Sequence, residues 1–114
     1  MTVKALFVEL SAFTRYRSQY LDDEGLRGLQ NSILKIPDAG DLIPGTGGLR
    51  KLRHGDANRG KGNRGGLRVI YFWWEAKRQA WLFTLYDKDE LDNLSEKEKS
   101  TLKKLLKQEL EDRK

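Results

Sequence analysis

Apolar positions along the chain follow two spacings, and the switches between them mark the elements. Val3–Glu9 is rich in β-prone residues and apolar at both parities, which predicts a well-buried strand. Phe13, Tyr16 and Tyr20 then recur at helical spacing, with Ser11 in position to cap the helix. A second helix starts at Asp22 or Asp23; Leu26, Leu29, Ile33 and Leu34 form its apolar stripe and Pro37 ends it. Joined at Tyr20–Asp23, the two make a helical hairpin.

The spacing falls to two after a Gly/Pro/Asp-rich loop, Pro37–Gly48. Leu49–His54, Leu67–Trp74 and Ala80–Tyr86 read as strands, the last two forming a hairpin through Glu75-Ala-Lys-Arg-Gln79. Between the first two lies His54–Gly66, a Gly-rich, positively charged arm expected to be loose. Ser95-Glu-Lys-Glu98 is a capping box, and Leu102, Leu105, Leu106 and Leu110 line one face of the helix it opens. No internal repeat interrupts this order. The expectation is one α+β domain over residues 1–114, β-α-α-β-β-β-α, with helices packed on a single sheet.

Composition narrows what such a domain can do. Hydrophobic residues make up 38% of the 114, enough for one compact core and too few residues for two. No stretch is long and apolar enough for a membrane span, and Met1–Val8 lacks the apolar region of a signal peptide, so a cytoplasmic setting without a membrane partner is expected. The absence of Cys removes disulfides and thiolate metal sites, and a single His, His54, argues against a His-based zinc site. No metal and no cofactor are expected.

The formal charge of +5 is concentrated. From Arg50 to Arg68 there are seven Lys/Arg against Asp56 alone, whereas the remaining 15 Lys/Arg face 16 Asp/Glu. A patch of one sign points to a polyanion, with nucleic acid as the first choice. If Leu52 faces the core, Lys51 and Arg53 lie on the opposite face of their strand and share it with Arg68 of the neighbour. Like charges opposed across strands repel, so an anion-binding face explains them better than an ordinary solvated one.

Other features carry less. Gly45-Thr-Gly-Gly48 precedes a strand rather than a helix, so it reads as a flexible lead into that strand and not as a phosphate loop. Trp73, Trp74 and Trp81 sit on central strands, where core packing outweighs base stacking for at least two of them. Neither the carboxylate cluster of a two-metal nuclease nor a catalytic His pair is present. RNA, however, brings its own nucleophile, the 2′-OH, and cations suffice to align it and to stabilise the charge on phosphorus.

At this point a resemblance emerges. Pro37-Asp-Ala-Gly-Asp-Leu-Ile-Pro-Gly-Thr-Gly-Gly-Leu-Arg-Lys-Leu-Arg53, Gly60-Lys-Gly-Asn-Arg-Gly-Gly-Leu-Arg-Val-Ile-Tyr71 and Leu82-Phe-Thr-Leu-Tyr-Asp-Lys88 occur in order, with Leu94-Ser-Glu-Lys-Glu98 beyond. Together they closely resemble the HigB branch of the RelE superfamily, toxins of type II toxin–antitoxin systems. The resemblance implies a RelE-like fold, with two N-terminal helices on a mostly antiparallel twisted sheet and a C-terminal helix. It implies a metal-independent endoribonuclease that cuts messenger RNA in the ribosomal decoding site, leaving a 2′,3′-cyclic phosphate. It also implies a cognate antitoxin, often with a helix-turn-helix DNA-binding domain.

Carried over by position, Lys51 matches a basic site that acts as general base or phosphate ligand, and Arg68 matches an Arg that contacts the scissile phosphate. Lys88 falls near a further family cation, and Tyr86 is the nearest aromatic donor. The chain departs from the best-studied members at Leu94, where they have Tyr, and at Leu49, where they have a basic residue. The acid and base assignments therefore stay open, with His54 or Tyr86 able to substitute. The expected catalytic set is Lys51, Arg53, His54, Arg68, Tyr86 and Lys88, and Arg50, Arg59, Lys61 and Arg64 are expected RNA or ribosome contacts. Two other readings remain: a non-enzymatic ParE-like inhibitor of DNA gyrase, against which the cations at 51, 53 and 68 argue, and an inactive nucleic-acid-binding relative.

Overall fold

A computed structural model describes residues 5–55, 66–88 and 93–113. The described elements are β1 (Leu6–Glu9), α1 (Ser11–Tyr20), α2 (Asp23–Lys35), β2 (Asp41–Leu42), β3 (Arg50–His54), β4 (Leu67–Trp74), β5 (Gln79–Asp87) and α3 (Glu96–Asp112). The strands form one sheet in the order β1-β5-β4-β3-β2. Every neighbouring pair is antiparallel except β1 with β5. The α+β class and the order expected from the sequence hold, with one short strand added.

Helices cover both faces of the sheet. On one side Phe13 of α1 and Leu29 and Ile33 of α2 pack with Leu67, Val69, Tyr71, Leu82 and Leu85. On the other, Leu102 and Leu106 of α3 pack with Ile43, Leu49, Ile70, Trp81, Phe83 and Tyr86. Burial on two faces explains why Val69–Trp74 is a nearly unbroken apolar run instead of an alternating one. Trp81 is fully buried, with Trp74 edge-on to it at 5.2 Å between ring centroids.

The helix ends follow their capping chemistry where the side chains are free to provide it. Asp22 Oδ1 accepts from the Gly25 backbone N–H at 2.7 Å, and Asp23 and Glu24 sit favourably in the positive first turn of α2. Ser95 and Glu98 close the reciprocal capping box of α3. Ser11 does not cap α1. The cap position is Leu10, whose extended backbone still donates to Leu82 O at 2.9 Å, so the sheet holds the chain one residue longer and Ser11 becomes the first helical residue.

Two further expectations are corrected. The first strand is not well buried: the described part spans Leu6–Glu9, lies at the sheet edge, and leaves Leu6 54% exposed. Nor is Pro37–Gly48 merely a loop with a flexible end. It contains β2, and Thr46, fully buried, donates to Ile43 O at 2.7 Å and accepts from Leu49 N at 3.2 Å, locking the turn shut. Gly45 and Gly47, at φ of 82° and 81°, take backbone conformations that other residues rarely adopt.

The loop before β2 is clasped to the sheet. Tyr71 Oη donates to Pro37 O at 2.8 Å and accepts from Gly40 N at 3.0 Å, while Arg50 Nη1 donates to Gly40 O at 2.8 Å and Asp38 O at 3.1 Å. A Cβ on Gly40 would lie 2.8 Å from the Tyr71 ring, so only glycine permits this approach. Tyr71→Phe keeps the ring and removes both hydrogen bonds. Urea unfolding is expected to show a loss of about 1–3 kcal/mol, because a buried N–H of Gly40 and a half-buried carbonyl of Pro37 lose their partner.

Candidate functional site

Strand register decides which cations meet. Arg53 is opposite Arg68 and Lys51 opposite Ile70 across β3–β4, and Arg68 is opposite Tyr86 across β4–β5. Residues directly opposite one another project to the same side of a sheet. Lys51, Arg53, Arg68 and Tyr86 therefore share the α3 side with Ile70. Arg50 and His54 fall on the α1–α2 side, because they are opposite Tyr71 and Leu67 of that core.

Tyr86 reaches this face only through an irregularity in β5. Ile70 pairs with Thr84 and Tyr71 with Leu82, which leaves Phe83 as an extra residue. Before this bulge Trp81 and Phe83 face α3 and Leu82 faces α1–α2; after it Leu85 faces α1–α2 and Tyr86 faces α3. Strict alternation from Trp81 would put Tyr86 on the opposite side, with Leu82. The bulge re-aims one side chain at the cost of one ladder position.

Where β2, β3, β5 and α3 converge there is a cavity of about 200 Å³. Asp41 to Pro44 form one wall, Lys51 and Tyr86 the sheet side, and Asn93, Leu94 and Lys99 the side of α3. Tyr86 is only 8% exposed, and its hydroxyl has no hydrogen-bond partner among the described residues. Leaving such a group unpaired costs about 1–3 kcal/mol. Burial raises the Tyr86 phenol above the ordinary tyrosine value of 10.0; the nearby Arg68 charge lowers it in part, and Glu98 raises it. At neutral pH it is a hydrogen-bond donor.

Arg68 is 5% exposed, and its Nη1 donates to Gly66 O at 3.2 Å and Leu67 O at 3.4 Å. It thus fixes a positive charge beside Tyr86, its cross-strand neighbour, instead of extending into solvent. Arg53 is exposed and Lys51 half-buried. Lys88 is exposed just past the end of β5. His54 Cε1 lies 4.0 Å from where a Cβ on Gly28 of α2 would stand, away from the cavity. Arg50 is engaged in the loop clasp. Of the expected set, then, the structure brings Lys51, Arg53, Arg68 and Tyr86 to one face and sets Arg50 and His54 on the other. Arg59, Lys61 and Arg64, with most of the basic arm, lie outside the described residues.

Lys99 and Asp41 line the cavity without having been singled out by the sequence. Lys99 is hidden there by the alternating charges of Glu96-Lys-Glu-Lys99, and Asp41 by its place in an irregular loop. Among the described residues no three His, Cys, Asp or Glu side chains gather as a metal site, and no helix is long and apolar enough to cross a membrane.

This arrangement defines a class: a small α+β domain with helices on both faces of the sheet and a cationic cavity beside its C-terminal helix. No protein-family profile matches the chain. Among solved structures, a mutant of the E. coli toxin RelE in the free state is similar, with a TM-score of 0.50 and 14% identity, over 79% of this chain and 90% of that one. The likeness shows a RelE-like fold.

Two outcomes follow for Tyr86. Tyr86→Phe removes an unpaired buried hydroxyl, so urea unfolding at pH 7 is expected to show unchanged stability or a gain of about 1 kcal/mol. The raised phenols of Tyr86 and Tyr71 favour the folded state below the unfolded value of 10.0, and this contribution is lost as pH rises through the folded values. Stability measured against pH should therefore fall above pH 10, and less steeply in Tyr86→Phe.

Proposed function

We propose that this protein is the toxin of a toxin–antitoxin pair and acts as an endoribonuclease on messenger RNA in the ribosomal decoding site. The observation that carries the reading is the convergence of Lys51, Arg68 and the unpaired Tyr86 hydroxyl on one sheet face beside a cavity. The RelE-like fold supports it, since the solved structure that shares the fold is a toxin. The motif resemblance to the HigB branch supplies the ribosome, the messenger RNA, the cytoplasmic setting and an antitoxin carrying a helix-turn-helix domain.

The chemistry asks little of the protein. The RNA 2′-oxygen bonds to phosphorus as the P–O5′ bond breaks; the 2′ proton is lost, O5′ gains one, and a 2′,3′-cyclic phosphate remains. Lys51 and Arg53 draw in the phosphate and activate the 2′-OH. The fixed charge of Arg68 opposes the negative charge that grows on the phosphoryl oxygens, in a partly buried setting where it is weakly screened. Tyr86, a neutral phenol with a free donor direction, assists departure of O5′ together with Lys88. Cleavage proceeds without a metal. Arg59, Lys61 and Arg64 hold the ribosome.

Lys51→Ala is expected to lower single-turnover cleavage of ribosome-bound messenger RNA by roughly 10²-fold or more. It should also abolish growth arrest on expression, with its folding unchanged by circular dichroism. Undiminished cleavage in Lys51→Ala and Tyr86→Phe alike would overturn the assignment of the site.

A further inference from the structure

Lys99 is the cavity cation for which neither the motif resemblance nor the basic strand pair accounts. It comes from the first turn of α3, far in sequence from Lys51, yet both line the same cavity with Tyr86. Its side chain is 25% exposed, and it forms an ion pair at 3.5 Å with Glu96, whose own side chain is 94% exposed. So solvated a partner is weakly held and easily exchanged for a better anion. Asp41 is the acid in the cavity wall, placed opposite Lys51 in the β2–β3 register and exposed. Tyr86, nine-tenths buried, lines the same cavity, and its hydroxyl has no partner among the described residues.

We propose that Lys99 is a substrate-binding residue that holds a second backbone phosphate of single-stranded RNA, next to the one engaged by Lys51, and so sets the strand across the Tyr86 hydroxyl. The proposal rests on the ribonuclease reading of the same site. A phosphodiester fits because its two non-bridging oxygens accept from an ammonium and a hydroxyl together, and a lysine binds phosphate as a point charge that tolerates the varied sequence of a message. Because the contact is made equally before and during bond cleavage, Lys99 lowers KM and leaves kcat nearly unchanged.

The experiment compares wild type, Lys99→Ala and Lys99→Arg in two assays. In cleavage of ribosome-bound messenger RNA, Lys99→Ala is expected to raise KM roughly tenfold with kcat within twofold, and Lys99→Arg to restore KM. In an NMR titration with a 2′-deoxy trinucleotide, which cannot be cut, Lys99→Ala is expected to bind more weakly and to lower the salt slope by about 0.7, the share of one single-strand phosphate. If wild type cleaves and Lys99→Ala keeps the wild-type KM and salt slope, the inference fails while the ribonuclease reading stands. If wild type does not cleave, that reading fails, and the trinucleotide titration alone decides whether Lys99 binds a phosphodiester: equal affinity in Lys99→Ala overturns it. A fall in kcat without a change in KM also overturns it.

Discussion

The extra residue at Phe83 is the constraint on which the site depends. A regular ladder through β5 would keep Trp81, Phe83 and Leu85 on one side and turn Tyr86 toward α1 and α2. One unpaired position reverses the alternation, so β5 supplies Trp81 and Phe83 to the α3 core and then Tyr86 to the cavity beside it. The same strand supplies Leu82 and Leu85 to the other core. Its partner β4 needs no such device, because the parity that sends Ile70 to α3 also sends Arg68 there. Two adjacent strands thus serve two cores and one site with a single irregularity.

The loop clasp plays the complementary part. Arg50 and Lys51 are neighbours, but the pleat divides them: Arg50 reaches back to the Asp38 and Gly40 carbonyls on the α1–α2 side while Lys51 lines the cavity. By holding Gly40, Arg50 and Tyr71 bring Asp41 and Leu42 into register with β3, and these residues are the wall that encloses the cavity. A cation in the basic patch therefore serves the site without belonging to it.

Much of this was legible in the sequence, wherever local chemistry decides. Asp22, Ser95 and Glu98 announce their helices because a cap is satisfied within four residues, and β3, β4 and β5 lie within one residue of their expected bounds. The shared face of Lys51, Arg53 and Arg68 follows from pleat parity alone. What was hidden depends on distant partners. Ser11 loses its capping role because Leu10 is hydrogen-bonded to Leu82, 72 residues further along the chain. Strand β2 is two residues long and exists only through β3. The bulge leaves no mark in the apolar pattern, since Phe83, Leu85 and Tyr86 are all suited to burial on either face. Lys99 joins Lys51 only after α3 has docked.

The parallel pairing of β1 with β5 has a kinetic consequence. Leu6 is matched with Gln79, so β1 has no partner until β5, the last of the described strands, exists. Closing so long a stretch of chain is entropically slow, and topologies of this kind fold late relative to hairpins. The β3–β4–β5 meander can assemble by itself, but α1 starts where β1 leaves the sheet, and the α1–α2 core closes over β5. Protein emerging from a ribosome would therefore acquire its cavity only after β5 and α3 have both been made.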